Sequence, residues 1–378
     1  MKIAYLAQDM ADAAVAKRVT MLRRGGAEVD LYGFRRASGA PGQVAGVAPH
    51  VLGQTQNGAL AQRAGSLLKL GATAGAWARS MADADLIVAR NLDNLLLAAV
   101  ARRRLKLTTP LVYELLDVHT LMFGDGPASR LLRALEGRLL RASDAVIISS
   151  PAFEREYLAR YHPRRPPALL VENKVLDGPA SEARRAPPPD GPPWRIGWFG
   201  GIRCKPSLDS LSRLIRAHPG LFEVHIRGRF VNPDMGDVEA IIRDSPGMHY
   251  HGPYKAPDDL AKIYGEVHFT WAIDFYQEGA NSTWLLPNRL YEGGLHGAPP
   301  IALRDVETGR WLQTHGLGLL LKPPLEASVE QLLTTMTPQL YRDAVDRLSA
   351  TDRGLFQWTD AECADLVARL GALGARRG

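Results

Sequence analysis

The chain has 378 residues, more than one hydrophobic core usually organises, so two domains are expected. Its apolar fraction of 46% and charged fraction of 23% are those of a globular protein, and no run of about 18 apolar residues exists that could span a bilayer. The net charge is +6, but no aromatic-interleaved basic stripe or known reader motif accompanies it, which argues against nucleic acid as a partner.

Cysteine usage and the first residues indicate the compartment. Cys204 and Cys363 are the two cysteines, and neither has metal-ligand spacing around it. The sequence starts directly with a strand-like pattern and lacks the apolar core and small-residue cleavage site of a signal peptide. We therefore expect a reduced, cytoplasmic protein with no metal and no resident cofactor.

The first half alternates between strand-like and helix-like segments. Residues 3–7 form an apolar run typical of a buried parallel strand, residues 12–24 have helical spacing, and residues 28–34 form a second strand. This βαβ opening predicts a parallel sheet with a right-handed crossover, and it lacks the G-x-G-x-x-G of dinucleotide-binding domains. A Gly/Pro/Ala-rich loop over 36–58 and an amphipathic helix over 59–82 follow.

Polar side chains follow two further predicted strands at their carboxyl ends, where ligands of open α/β sheets bind. These side chains are Arg90, Asn91, Glu114, Asp117 and His119. Carboxylates beside an imidazole suit a general base. In the alternative interpretation, Glu114 pairs with a neighbouring arginine and Asp117 caps a turn; the sequence favours neither.

The first half also carries the excess positive charge. Residues 1–190 contain 26 Lys and Arg against 18 Asp and Glu, a net +8, whereas residues 191–378 are net −2. A predicted helix over 127–142 has leucines on one side and arginines elsewhere. It packs as an ordinary surface helix in the simpler interpretation and lies on an anionic membrane surface in the alternative. An anionic substrate or a plain solvated surface would also account for the charge.

Proline density separates the two halves. Residues 177–193 include Pro179 and five prolines between positions 187 and 193, which predicts a semi-rigid, extended linker. The predicted domains are 1–176 and 194–355, and a C-terminal helical segment, 356–378, is expected to pack near their junction.

The second half begins with a strand that ends in a glycine turn. Arg203 and Lys205 follow Gly200 and Gly201. Glycine lets the backbone approach a ligand closely, and two cations beside it make a cradle for a diphosphate. A surface turn with incidental cations is the alternative. Four histidines further on are scattered along predicted strands, so we expect them to be packed or hydrogen-bonded and not to bind metal; they are residues 225, 249, 251 and 268.

A helix predicted to begin near Pro287 has polar groups at its N-terminus. Asn288, Arg289 and Glu292 lie in its first turns. Unpaired N–H groups and the positive end of the helix dipole suit phosphate, and a carboxylate one turn in suits a ribose diol. Alone this motif is weak, because proline at a helix start and glutamate in a first turn are ordinary.

Taken together, the two halves, the linker and the phosphate-type site resemble the GT-B glycosyltransferases over nearly the whole chain. The pattern looks closest to bacterial enzymes of the glycosyltransferase 4-like type, which assemble exopolysaccharide and lipopolysaccharide. The stretches that carry the resemblance are Glu136 with residues 141–150, then 171–175, 197–205, 251–254 and 288–294.

The resemblance implies two Rossmann-like α/β domains that face each other across a cleft, with the C-terminal helix crossing back to the N-terminal domain. A UDP- or GDP-sugar, as co-substrate, would bind the C-terminal domain. Arg203 and Lys205 match the family's diphosphate-binding cations, Glu292 matches its ribose-binding glutamate, and Tyr254 lies in the loop beside the nucleobase. The remaining members of the expected donor set are Gly201, Arg229, Asn288 and Arg289.

On the same resemblance, the acceptor would bind the basic N-terminal domain, with Arg90, Asn91 and Glu114 as candidate contacts. It would be a saccharide or a polyprenyl-linked saccharide, with peripheral contact at the cytoplasmic face of the inner membrane. We expect a hexosyltransferase.

Three features depart from the family pattern. The family's paired glutamates stand eight positions apart, but Trp284 occupies the position eight before Glu292, which puts the retaining assignment in doubt. The glycine-rich loop after the first strand is replaced by residues 8–11. The loop after Tyr113 offers Asp117 beside His119, so an inverting reaction is open too: Asp117 would take the acceptor's proton while protein cations stabilise the diphosphate without a metal.

Two other functions fit the same pattern. A sugar-nucleotide epimerase on this fold would act on free sugar nucleotide alone. A non-catalytic scaffold of a polysaccharide assembly complex would bind protein without nucleotide, although Arg203, Lys205 and Glu292 argue against it because a scaffold needs no diphosphate cradle.

Overall fold

The computed structural model describes residues 1–35, 42–54, 65, 70, 73–179 and 188–375. The chain forms two compact units, residues 1–172 with 359–378, and residues 173–358. The sequence-based prediction ends the first domain at residue 176 and the second at residue 355. Parts of three predicted segments, the loop 36–58, the helix 59–82 and the linker 177–193, lie outside the described residues.

The first unit is built, within its described residues, on a seven-stranded parallel sheet. Its strands are β1 (Lys2–Ala7), β2 (Glu28–Arg35), β3 (His50–Gln54), β4 (Leu86–Arg90), β5 (Leu111–Leu115), β6 (Ala145–Ile148) and β7 (Ala168–Leu170). The spatial order is β3-β2-β1-β4-β5-β6-β7. All side chains of β4 and β5 are buried, as expected for parallel strands covered on both faces.

The described helices of this unit are Ala13–Arg24, Ala74–Trp77, Asn91–Arg104, Pro127–Arg141, Ala159–Tyr161 and the C-terminal Asp360–Ala375, with 3₁₀ turns at Ala78–Met81 and Thr120–Met122 and a π-helical segment at Phe153–Leu158. All but the last lie between strands of the sheet. The C-terminal helix Asp360–Ala375 packs against Ala13–Arg24. Contact is close at Gly25, where a Cβ atom would overlap the carbonyl oxygen of Cys363.

The described strands of the second unit are β8 (Val175–Leu176), β9 (Trp194–Ile202), β10 (Phe222–Phe230), β11 (Met248–Tyr250), β12 (Phe269–Trp271), β13 (Pro300–Leu303), β14 (Leu319–Leu321) and β15 (Gln357–Trp358). Six of them form a parallel sheet in the order β11-β10-β9-β12-β13-β14. β8 and β15 pair separately from the main sheet. Trp194, Trp198 and Trp271 are fully buried in its core.

The helices of this unit are Lys205–Ala217, Val238–Arg243, Leu260–Gly265, Asn281–Trp284, Asn288–Leu295, Glu307–Thr314, Leu325–Thr335 and Pro338–Ala350, with 3₁₀ turns at Pro233–Met235 and Arg353–Leu355. Lys205, one of the two cations expected to bind the diphosphate, is the first residue of the helix Lys205–Ala217.

Both sheets reverse their strand order once. The reversal falls between β1 and β4 in the first unit and between β9 and β12 in the second. In open α/β sheets, ligands bind beyond the carboxyl ends of the strands at such a switch point. The predicted α/β class, with two Rossmann-like halves, is confirmed, and the two switch points are where functional groups are expected.

Candidate functional site

Glycines shape the carboxyl ends of the strands at the β9/β12 switch point. Gly200 on β9 and Gly228 on β10 are register partners, with φ of +111° and +136°. A Cβ atom on Gly228 would overlap the Gly200 carbonyl oxygen. Gly201, the glycine expected to face the donor, is exposed, and so is Arg229 one residue after Gly228. The sheet edge therefore carries no side chain at these three glycines, and a ligand can approach the backbone closely at the exposed Gly201.

Two cations predicted for the site lie here, each beside a carboxylate. Arg203 Nε donates to Asp274 Oδ2 at 2.9 Å, and Nη2 lies 2.8 Å from the same oxygen. Lys205 Nζ lies 2.9 and 2.7 Å from the two carboxylate oxygens of Asp209. Asp274, only 5% exposed, follows β12, so the switch point brings it beside Arg203.

Arg289 is the third cation at this edge. It is buried, its Nη1 lies 3.5 Å from the Phe199 carbonyl oxygen, and its Nε has no hydrogen-bond partner within the described residues. Burial lowers the pKa of Arg289, and the charge of Asp274 opposes that shift. Asn288 is exposed at the start of the same helix, Asn288–Leu295, which has no side-chain cap. The free N–H groups expected at a helix N-terminus therefore lie beside a desolvated guanidinium.

Glu292 lies one turn into that helix and is buried. Its Oε2 accepts a hydrogen bond from Tyr264 at 2.9 Å. Burial, reinforced by the Glu292 charge, raises the pKa of Tyr264 and of Tyr254, so both phenols stay protonated. The ring of Tyr254 packs edge-on against Phe199, with 6.3 Å between centroids. A carboxylate fixed by a phenol suits a ribose diol, and the three cations suit a diphosphate.

In the first unit, Glu114 is fully buried at the carboxyl end of β5. It accepts hydrogen bonds from Tyr5 at 2.6 Å, Arg18 at 2.6 Å and Arg90 at 3.0 Å. Burial alone would raise its pKa, but the guanidinium groups of Arg90 and Arg18 lower the pKa of Glu114 to about 2. The structure thus contains the pairing that the sequence left as an alternative. The direct acceptor contact of Glu114 and Arg90 stays a prediction.

The same network continues through Arg90 towards Ala13–Arg24. Arg90 Nη2 donates to the Ala14 carbonyl oxygen at 3.2 Å, and Nη1 lies 3.7 Å from the Asp12 carboxylate. Asn91 begins the next helix at φ +68°, and its Oδ1 is buried without a hydrogen-bond partner in the described part of the chain. The network therefore holds together the carboxyl ends of β1, β4 and β5.

The two predicted catalytic residues lie on the loop after β5. Asp117 and His119 are both exposed. His119 Nδ1 accepts the Leu121 N–H at 3.2 Å and so caps the 3₁₀ turn Thr120–Met122. That hydrogen bond assigns the neutral ring's proton to Nε2. Their catalytic roles stay predictions.

Other polar residues form internal contacts. Glu136, one carrier of the resemblance, accepts from Tyr113 at 2.9 Å and also contacts Tyr157 and His162 in the interior. His225 and His251 are hydrogen-bonded at 3.1 Å with stacked rings. His268 is buried and accepts the Arg195 N–H at 2.8 Å. The expectation of packed or hydrogen-bonded histidines is confirmed for these three, and the parallel pairing of β10 with β11 is what brings the first two together.

Neither a metal site nor a membrane-spanning helix is found among the described residues. No group of three or more His, Cys, Asp or Glu among them is arranged to hold a metal ion. Of the helices that the structure describes, none has both the length and the apolar character needed to cross a bilayer.

Asp274 is the site residue that sequence reasoning missed. Residues 267–273 have the apolar pattern of a buried strand, so the rule that selects Arg90 after its strand applies to Asp274 as well. Its pairing with Arg203, however, depends on β12 lying beside β9, which are about 70 residues apart in sequence.

Comparison with known proteins gives three further findings. A glycosyl transferase 4-like domain matches residues 12–174. The succinoglycan biosynthesis protein ExoL of Rhizobium meliloti (strain 1021) is 43% identical over 381 residues, covering 99% of this chain and 94% of that protein. Two solved structures share the fold at low identity. They are sucrose-phosphate synthase from Thermosynechococcus elongatus (TM-score 0.71, 16% identity, 100% of both chains) and Anabaena Alr3699/HepE in complex with UDP and glucose (0.66, 15%, 98% of both chains).

Proposed function

The chain belongs to the glycosyl transferase 4-like family, and we propose that it transfers a sugar from a UDP-sugar to a saccharide or polyprenyl-linked saccharide during synthesis of a cell-surface polysaccharide. The GT-B fold, the family and the glycosyltransferase activity that the sequence predicted are confirmed. The donor, the acceptor, the membrane contact and the residue roles are proposals.

The donor assignment depends on one observation, the meeting of cations with a helix N-terminus at the β9/β12 switch point. Arg203 and Lys205 approach it from β9, and Arg289 lies in the first turn of Asn288–Leu295. We assign the diphosphate to these groups and the ribose to Glu292. Uridine is favoured among the bases because HepE, which shares the fold, was solved with UDP. Further proposed donor contacts are Gly201, Arg229, Tyr254 and Asn288.

The proposed chemistry is displacement at the sugar's anomeric carbon. The acceptor hydroxyl oxygen bonds to that carbon, and the bond to the diphosphate oxygen breaks, so its electron pair leaves with UDP. In the inverting form Asp117 takes the hydroxyl proton, with His119 on the same loop. Arg203, Lys205 and Arg289 stabilise the charge that develops on the leaving diphosphate.

The acceptor is assigned to the first unit, where Arg90 and Asn91 follow β4. ExoL, whose name places it in succinoglycan biosynthesis, supports a polysaccharide intermediate as acceptor. We also propose peripheral contact with the cytoplasmic face of the inner membrane. The helix Pro127–Arg141 supports it, because Leu131 is 71% exposed there beside the exposed Arg130 and Arg138.

The test is calorimetric binding of UDP, GDP, ADP and CMP to the wild type, Glu292→Ala and Glu330→Ala. Glu330→Ala is the control, because it also removes a hydrogen-bonded carboxylate, which contacts His218 at 2.8 Å, but does so on the surface of the same unit. We expect micromolar binding of UDP, lost in Glu292→Ala and kept in Glu330→Ala. No binding of any nucleotide to the wild type would contradict the donor assignment. Release of UDP that requires an added acceptor separates transfer from epimerisation.

A further inference from the structure

Asp274 contacts two neighbours with its two carboxylate oxygens. Oδ2 faces Arg203 Nε at 2.9 Å and Nη2 at 2.8 Å, and Oδ1 accepts the Tyr276 N–H at 2.9 Å. The Tyr276 ring in turn lies against the Arg203 guanidinium, with 5.3 Å from Cζ to the ring centroid. The three residues therefore form a closed triangle in which Asp274 holds the other two.

This triangle fixes which edge of the guanidinium remains open. A guanidinium presents a side-on edge, Nε with one Nη, and an end-on edge, the two Nη atoms. Asp274 occupies the side-on edge. Nη1 makes no hydrogen bond within the described residues, and the Arg203 side chain is 34% exposed while that of Asp274 is 5% exposed. The end-on edge is therefore the one available to a ligand.

We propose that Asp274 is a positioning residue of the donor site, which holds Arg203 so that its Nη1–Nη2 edge meets the donor diphosphate. The proposal rests on the donor site assigned above. It also supplies a reason for a buried carboxylate beside a diphosphate site. Without such a partner, Arg203 must lose its rotamer freedom when the ligand binds, at the expense of affinity.

Removal of this carboxylate changes both the charge beside Arg203 and the position of Arg203. The two effects predict opposite changes in UDP affinity. By charge alone, Asp274→Asn removes an anion next to Arg203 and tightens UDP binding. By positioning, it frees Arg203 and weakens UDP binding about 3- to 10-fold, the range expected when one long side chain must be ordered on binding. Asp209→Asn is the matched control, because Asp209 holds Lys205 at 2.7 Å and a rotatable ammonium needs no edge fixed.

The experiment is calorimetry of UDP and uridine with five proteins: the wild type, Asp274→Asn, Asp209→Asn, Arg203→Ala and the double variant Arg203→Ala/Asp274→Asn. We expect Asp274→Asn to weaken UDP binding 3- to 10-fold while uridine binding is unchanged, and Asp209→Asn to bind UDP at least as tightly as the wild type. In the Arg203→Ala background, Asp274→Asn should cause no further loss, because the residue acts through Arg203.

Four results would each overturn the proposal. The first is UDP binding to Asp274→Asn that is as tight as or tighter than binding to the wild type. The second is an equal loss of affinity for uridine and UDP. The third is the same fold loss in the Arg203→Ala background, and the fourth is an equal loss of UDP affinity in Asp209→Asn. Failure of the wild type to bind UDP would instead overturn the assigned donor site, and this inference with it.

Discussion

The replacement Glu114→Gln tests how the first unit holds the ends of its strands. Glu114 is fully buried between Arg18 and Arg90, and Gln would leave both guanidinium groups without their anion. The depression of its pKa from 4.5 to about 2 corresponds to about 3 kcal/mol of stability at neutral pH. Breaking a buried pair from one side costs about 3–5 kcal/mol, which agrees. We expect the free energy of unfolding of the first unit to fall by that amount.

Hydrogen exchange followed by mass spectrometry can locate this loss. Amides of β1, β4 and β5 should lose protection in Glu114→Gln, whereas those of β9 and β10, in the other unit, should not. Glu154→Gln is the control, because Glu154 pairs with Arg165 at 2.8 Å but is 46% exposed, and its loss should cost less than about 1 kcal/mol. A loss below about 1 kcal/mol in Glu114→Gln would refute the assignment of this network as a structural brace.

The pH dependence of the same contact has a definite sign. Because the folded pKa of Glu114 is depressed, its stabilisation is present above pH 4.5 and is lost as the pH falls from 4.5 towards 2. In Glu114→Gln that part of the acid transition should be absent.

Three further predictions concern the site and the surface. Gly228→Ala should lower the melting temperature and weaken UDP binding, because backbone strain alone costs about 1–3 kcal/mol and the new Cβ overlaps Gly200. An unchanged UDP affinity by calorimetry together with an unchanged melting temperature would contradict this. Asp117→Asn should slow sugar transfer about 10²–10⁴-fold without changing UDP affinity, and normal transfer rates in both Asp117→Asn and His119→Ala would exclude a base on that loop. Leu131→Asp should reduce co-sedimentation with anionic vesicles about tenfold or more without lowering the melting temperature, because Leu131 is 71% exposed; equal binding by the variant would remove this helix from the membrane proposal.

Elements were predictable from the sequence where one periodicity dominates. The predicted strand 3–7 and helix 12–24 correspond to Lys2–Ala7 and Ala13–Arg24, and the helix expected near Pro287 begins at Asn288. These patterns are local, because burial on both faces makes a strand apolar throughout and a helix apolar on one stripe.

Residues whose partners lie far away in sequence were less predictable. Asp274 meets Arg203 only because β12 lies beside β9, and His225 meets His251 only through the register of β10 with β11. Strand order and register depend on packing of the whole sheet, which no single segment of sequence contains. Glu114 was partly predictable. Pairing with an arginine was one of two interpretations of the sequence, and the structure contains that pairing, with Glu114 buried between Arg18 and Arg90.

The central claim, that the donor diphosphate binds at the β9/β12 switch point, is tested most directly by hydrogen exchange with and without UDP. The predicted result is new protection of the amides at residues 200–203 and at the start of Asn288–Leu295, with no change in β1 to β7. Protection confined to the first unit, or none at saturating UDP, would contradict the claim.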